Sequence, residues 1–449
     1  MIITKDKQEY KNMWDKLLKP FRFGESQSIF PDTKERSAFI KDYDRIIYSS
    51  AFRRLSKKTQ VHPLTRNDHI HNRLTHSLEV SCVGRSLGNK LGFWLKDQGI
   101  LPDDIEPQNI GEIVQAACAA HDIGNPPFGH AGEEAIRDWF NSPENNFYLM
   151  NGKLKEKELA DFKAFDGNAQ GFRIITSLEM YKDNGGMRLT FPTLASIVKY
   201  PYCALDGLKQ NKCKFNFYTA EEKIFDKIFN ELGLKICRQY IRHPLSYFTE
   251  AADDICYRII DIEDARELNI INLDDIMEVI IPIKDKLELK QSNLLQEIPD
   301  RRKSSYIRGV LIGYMVNAVF VTFQDNFQKI MEEDVAPLIN LSDENTKKYM
   351  ENAKTIFYNT IMKNPTKTAL EIGSYGVYKR LLDNFIPAAH NKILDLPLSF
   401  RQNRALDLMG INAPKNNDGL YISYLRIIDF ISGMTDDYAT FVSKQLAGI

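Results

Sequence analysis

Residues 121–133 read H-D-I-G-N-P-P-F-G-H-A-G-E. The segment opens on adjacent His121 and Asp122, passes through Gly124-Asn125-Pro126-Pro127, and closes with His130 and Glu133 three residues apart. The residues before it, 110–120 (IGEIVQAACAA), form an apolar run of helical length. Gly124 marks the end of that helix, and the two prolines forbid its continuation. His121 and Asp122 are therefore expected at the end of a buried helix. Imidazole nitrogen and carboxylate oxygen suit Zn, Mn, Fe or Ni, and carboxylate also suits Mg. A second helix is expected to start near Phe128, which places His130 and Glu133, at i and i+3, on one face. A His-Asp dipeptide by itself signifies little, so the reading depends on what surrounds it.

Upstream, residues 62–76 hold four of the chain's eight histidines, His62, His69, His71 and His76. Asn72-Arg73-Leu74-Thr75-His76 opens an apolar-periodic helix over 77–95, with His76 in its first turn. His69 and His71 read as solvent or substrate-edge groups rather than ligands, and His62 as a plain loop residue. Earlier still, 41–63 (KDYDRIIYSSAFRRLSKKTQVHP) has a helical apolar stripe from which Arg53 and Arg54 project. Adjacent arginines usually form a solvated face; beside a phosphate they act as forked donors.

Downstream, 141–161 is polar and expected to be an irregular excursion. Helical periodicity resumes over 167–181, a small hairpin is expected over 184–190, and 194–200 reads as a helix. The basic, aromatic run 208–218 (LKQNKCKFNFY) reads as surface strand or loop. The second chemically loaded stretch is 244–268, PLSYFTEAADDICYRIIDIEDAREL. Asp253, Tyr257 and Asp261 share one helical face at i, i+4 and i+8. These aspartates are embedded in Ala251, Ala252, Ile255, Ile259 and Ile260, so at least one points inward, where a carboxylate needs a cation or donors. A metal on His76, His121 and Asp122 would supply it. From 270 onward the pattern is almost wholly helical, with candidate helices at 305–333, 343–362, 366–385 and 418–445.

Length and composition set the frame. The chain has 449 residues, 43% hydrophobic and 27% charged, with a net charge of −1. This fits a soluble globular protein with a large core and no global basic excess for nucleic acid. Six scattered cysteines without a CxxC spacing argue against a zinc ribbon or a secreted disulfide frame and suit a reducing compartment. The N-terminus lacks a signal-peptide apolar run, and no stretch approaches ~18 uncharged apolar residues. A cytoplasmic enzyme with no membrane association is expected.

The order His76, His121-Asp122, Asp253 resembles the HD superfamily of metal-dependent phosphohydrolases. The likeness is closer than that. DRIIYSSAFRRLSKKTQV, NRLTHSLEV, HDIGNPPFGHAGE, FDGNAQG, EAADDICY, DIEDA and ISGMTD resemble signature segments of the deoxyguanosinetriphosphate triphosphohydrolase (dGTPase) family, running from about residue 40 to about residue 436.

The resemblance implies an all-α HD fold with at most a small hairpin. An HD core would occupy 1–270, with helices 271–449 packing on it and completing the substrate pocket. It implies hydrolysis of dGTP, or of deoxynucleoside triphosphates more broadly, to deoxynucleoside and tripolyphosphate by water attack at the α-phosphorus. His76, His121, Asp122 and Asp253 match the metal ligands, Asp253 being chosen over Asp254 because the family uses the first aspartate of the pair. His130 and Glu133 match the catalytic pair. Arg73 matches a phosphate contact, Gln60 and Val61 positions at the sugar and base, and Lys199, Tyr200, Tyr257 and Asp261 phosphate- and sugar-side contacts. Glu371 resembles a guanine-side position. Arg53, Arg54, Arg73 and Lys199 would hold the triphosphate, and Tyr257 packed on the sugar would exclude a 2′-hydroxyl. Mn2+ or Mg2+ is the expected cofactor, and two histidines with two aspartates also tolerate Fe, Co or Ni. Family members form oligomers, so a homo-hexamer is expected, and some bind single-stranded DNA. The competing readings are an HD nucleotidase or phosphodiesterase, and a nucleotide- or single-strand-DNA-binding regulator without turnover.

Overall fold

The stop and start signals around the histidines organise the chain into helices, with His76, His121 and His130 at helix ends and Asp253 inside a long one. A computed structural model describes residues 6–24, 33, 35–61, 67, 69–149, 153–181, 185–237 and 239–449. Asn72 caps α1 (Arg73–Gln98), its side chain accepting from the Leu74 and Thr75 amides, and Gly99 at φ 71° ends it. Pro107 opens α2 (Pro107–Ala120), which stops at His121. There follow α3 (His130–Asn141), the short α4 (Gly167–Arg173), and α5 (Ser246–Glu267). The C-terminal part adds α6 (Asp300–Asp325), α7 (Pro365–Ile393), α8 (Leu420–Ser432) and α9 (Asp436–Ala447). Among the described residues the one sheet is a two-stranded antiparallel ribbon, Lys235–Ile236 with Gln239–Tyr240. The fold is all-α, as expected.

Apolar faces gather into two cores. In the first, α1, α2, α5 and α6 bury Leu87, Leu91, Val114, Ile255, Ile259, Met315 and Val319 together. In the second, α3, α7 and α8 bury Ile136, Phe140, Leu381, Phe385, Tyr424 and Ile428. The expected division near residue 270 falls inside the first core, which continues through Ile276, Met315 and Ile361.

Several expectations need correction. The described residues of 141–161 are not an irregular excursion: Asn146–Leu149 and Glu156–Lys163 are helical, and Leu149, Leu154 and Ala160, with Phe162 just beyond, fill the second core. Of the hairpin expected over 184–190, where Asn184 lies outside the described residues, the described residues show an antiparallel bridge between Tyr181 and Gly186. Residues 309–324 carry no charge, and α6 is long and apolar enough by length and composition to cross a membrane. Its Ile307, Leu311, Met315, Val319 and Phe323 are nevertheless buried in the first core. Helix α7 runs past Pro387, where the pattern suggested a stop. Ala388, Ala389 and His390 beyond it are buried, and His390 Nδ1 lies 2.7 Å from the Tyr424 hydroxyl, so packing offsets the ~3 kcal/mol penalty of an internal proline.

Candidate active site

His76 in the first turn of α1, His121 at the end of α2, and Asp253 on α5 converge, with one ligand-type atom from each within 4.8 Å of the others. His76 Nε2 is 3.0 Å and His121 Nε2 3.4 Å from Asp253 Oδ1. His121 Nδ1 lies 2.7 Å from the Cys118 carbonyl, to which it donates, so its Nε2 points inward with a lone pair. That buried Nε2 has no hydrogen-bond partner, as expected of a ligand atom. Two imidazoles and a carboxylate thus fit a divalent cation. Burial opposes charge on His121, yet Asp122 and Asp253 raise its imidazole to about 9. A cation at this point would replace that proton.

Asp122 is 3.5 Å from His121 Nε2 but commits both oxygens elsewhere. Oδ2 accepts from Arg73 Nη1 at 2.7 Å and Oδ1 from the Asn125 amide. Arg73 therefore reaches the cavity from a buried position beside Asp122. It does so past Gly129 (φ 55°), where a Cβ would sit 2.4 Å from Arg73 Nη2.

Opposite the triad stands a second pair. His130 Nδ1 lies 3.1 Å from Glu133 Oε2; the imidazole is 74% exposed and the carboxylate 5%. Glu133 Oε1 accepts the Gly167 amide at 2.7 Å, and Lys214 Nζ approaches Oε2 at 3.5 Å and Asp166 Oδ2 at 3.2 Å. Burial pushes Glu133 up, but the bond from His130, the Lys214 charge and the Gly167 amide outweigh it and hold the acid at about 2. Burial and the neighbouring Glu133 charge lift Asp166 to about 6. This wall depends on Gly124, where a Cβ would fall 2.0 Å from the Gly171 nitrogen, so only glycine lets α4 press against the turn.

His121, Asp122 and Asp253 of the first group and His130 and Glu133 of the second line one cavity of about 440 Å³, lined also by Gln60, Val61, Lys199, Tyr200, Tyr257 and Glu371, while His76 is buried behind the lining. Lys199 pairs with Glu250 at 3.1 Å, and Glu250 is fixed by Arg242 at 2.8 Å. Asn216 Oδ1 accepts the Lys199 and Tyr200 amides at 3.1 and 2.7 Å. Tyr257 packs on Phe357, ring centroids 5.0 Å apart. Glu371 is paired with Lys367, and the two line the cavity with Phe357, Tyr358 and Met362.

Three expected substrate contacts lie elsewhere. Arg53 is exposed and off the cavity. Arg54 lines a separate cavity of about 460 Å³ with Arg426, Asp429 and Tyr438. Asp261 is buried behind Tyr257, with Oδ2 unpartnered, and burial followed by the nearby Asp264 raises its acid strongly. His71, read as a solvent or substrate-edge group, ties α1 to α5: Nδ1 is 2.7 Å from Asp264 and Nε2 3.2 Å from Glu79. His69 is exposed, and His62 lies outside the described residues.

Sequence reasoning missed Lys214, Lys367, Arg258 and Asn168 on the cavity wall. Lys214 sits in the run expected at the surface; the signal was Phe215 and Phe217, which follow it and are buried, so this run packs against the core.

Residues 73–167 match the HD domain family. The fold and the His/Asp cluster therefore define a helical HD-domain protein, a class of metal-dependent hydrolases. Full-length relatives narrow this. A deoxyguanosinetriphosphate triphosphohydrolase-like protein of Pseudomonas aeruginosa is 42% identical over 441 residues, 97% of this chain and 98% of the relative. One of Synechocystis is 35% identical over 97% of this chain and 99% of the relative. A deoxyguanosinetriphosphate triphosphohydrolase of Klebsiella pneumoniae is 30% identical over 92% and 94%. The chain belongs to the deoxyguanosinetriphosphate triphosphohydrolase-like family of HD-domain phosphohydrolases.

Proposed function

We propose that the protein hydrolyses dGTP, and other deoxynucleoside triphosphates in the same pocket, to deoxynucleoside and tripolyphosphate. One observation carries the reading: His121 and Asp253 of the metal-type cluster and the His130–Glu133 pair line a single cavity with cationic walls. A triphosphate brings about four negative charges that need neutralising. Lys199, Lys214 and Arg73 line the space where these charges would lie. Lys199 gives up part of its pairing with Glu250 to do so. His76, His121 and Asp253, with the adjacent Asp122, would hold Mn2+ or Mg2+, or Fe, Co or Ni, which would supply Lewis-acid neutralisation of the phosphate charge.

Water adds to the α-phosphorus and releases a proton, which passes through solvent to restore the donor; the bond from phosphorus to the 5′ oxygen breaks, and that oxygen takes a proton. His130 is the donor. Its Nδ1 lies 3.1 Å from Glu133 Oε2, which leaves Nε2 for the cavity that His130 lines, and Glu133 itself is held ionised down to about 2. Tyr257 and Phe357 enclose the sugar, and Gln60, Val61 and the Lys367–Glu371 pair meet the base. The same reading expects a cytoplasmic homo-hexamer, which light scattering tests for its oligomeric state, and leaves single-stranded DNA as a candidate partner, which filter binding tests.

Metal-loaded protein is incubated with each dNTP and rNTP and the products are resolved by ion-pair chromatography. Deoxyguanosine with tripolyphosphate is the expected result. Orthophosphate or diphosphate as the product overturns attack at the α-phosphorus, and dGTP binding without turnover favours the regulator reading.

A further inference from the structure

The short segment joining α8 to α9 touches neither the metal cluster nor the cavity, yet it holds both. Asp436, 2% exposed, divides its carboxylate between two distant amides: Oδ2 accepts Thr59 N–H at 2.9 Å and Oδ1 accepts Phe128 N–H at 3.0 Å. Lys58, 3% exposed, does the reverse, donating from Nζ to the Asn125 carbonyl at 2.6 Å and the Ser432 carbonyl at 2.7 Å. Four bonds from two buried charges thus join residues 58–59, 125–128 and 432–436. Neither Lys58 nor Asp436 lines the cavity, whereas Thr59, Asn125 and Phe128 do.

We propose that the Ser432–Asp436 segment is a latch on the active site, with Lys58 and Asp436 as its positioning residues. Three features support this. Phe128 sits at φ 62°, a left-handed backbone that phenylalanine adopts only when held, and the Asp436 carboxylate grips its amide. Thr435, not Asp436, caps α9 with its side chain, so the Asp436 carboxylate is spent wholly on the other two segments. The 58–59 strand pairs in turn with Asn72, and the Arg73 amide donates to the Lys58 carbonyl at 3.1 Å, so the latch reaches the helix turn that carries Arg73 and His76. The C-terminal helix thereby sets where the proton-donor turn stands relative to the metal ligands. The consequence for turnover rests on the proposed hydrolase reading; the tie itself does not.

The test compares wild type with Asp436→Asn, which keeps the shape but loses one of the two acceptors, and Lys58→Met, which keeps the length but loses the donors. Residue-resolved hydrogen–deuterium exchange reads the latch directly. In wild type, the Thr59 and Phe128 amides exchange as slowly as the interior amides of α9. In Asp436→Asn, at least one of the two exchanges about tenfold faster or more. With helicity and Mn2+ affinity retained, kcat falls by about 10- to 100-fold while KM moves by less than about threefold. A folded Asp436→Asn protein with wild-type kcat and exchange overturns the proposal. If both variants fail to fold, the wild-type exchange decides alone, and rapid exchange at Thr59 and Phe128 beside a protected α9 refutes the latch. If the wild type cleaves no deoxynucleotide, the hydrolase reading fails while amide exchange still decides the latch.

Discussion

His121 and His130 are neighbours in sequence but belong to different halves of the molecule. His121 ends a helix whose residues, with α1, α5 and α6, fill the first core. His130 begins α3, which packs with α7 and α8 in the second. The wall carrying His121 and Asp253, proposed to hold the metal, is therefore built on one core and the wall carrying His130 and Glu133, proposed to donate the proton, on the other, and the turn 124–127 crosses between them. The two walls also differ in electrostatics. The first leaves ligand atoms unpartnered, as with His121 Nε2. The second satisfies its carboxylate fully, Glu133 meeting His130, Gly167 and Lys214. The first is shaped to receive a cation, the second to hold an imidazole in one orientation.

Substitutions should separate the walls. Asp253→Asn removes the charge shared by both histidines. Mn2+ affinity measured by calorimetry should fall by more than about 100-fold, since loss of a mere supporting contact already costs 10- to 100-fold, and turnover should vanish with it. His130→Ala should lower kcat by about 10²- to 10⁴-fold with Mn2+ affinity unchanged; a parallel loss of metal would mean the walls are not independent.

A stability measurement sharpens the same contrast. Asp429 on α8 receives Arg173 of α4 at 2.8 Å, and Arg173 also meets Glu221 at 2.6 Å. Asp429→Ala leaves a buried guanidinium half-paired and should cost about 3 kcal/mol in urea unfolding, with Mn2+ affinity again spared. The smallest effect lies on the metal side. Burial lowers the His71 imidazole, but Asp264 and Glu79 more than reverse this and raise it from 6.5 to about 10. A raised imidazole contributes stability that is fully present below pH 6.5 and lost as pH climbs through 10. Across that window, thermal unfolding of wild type should lose more than that of His71→Gln, and equal slopes would remove the tie from the account.

The metal wall was the more legible half. Its ligands stand at helix ends marked by Asn72, Gly124 and the two prolines, and the embedded aspartates of 253–261 announced an inward face. The second wall was only partly legible. His130 and Glu133 follow from i, i+3 spacing, but Lys214 arrives from a loop whose burial depends on Phe215 and Phe217 packing in three dimensions. Arg53 and Arg54 were misplaced because adjacent charges on one turn diverge, one to solvent and one to a different cavity. Asp436 closes the ISGMTD segment, but that segment gave no sign of what the carboxylate binds, since its partners lie hundreds of residues away in the chain.

Turnover of dGTP in H2(18)O with bound Mn2+ tests the two-wall account most directly. Water attack at the α-phosphorus, with His130 protonating the 5′ oxygen, predicts one heavy oxygen in tripolyphosphate and none in deoxyguanosine. Label in deoxyguanosine would mean that the carbon–oxygen bond breaks instead. Label in orthophosphate or diphosphate would place attack at the wrong phosphorus, and either result contradicts the account.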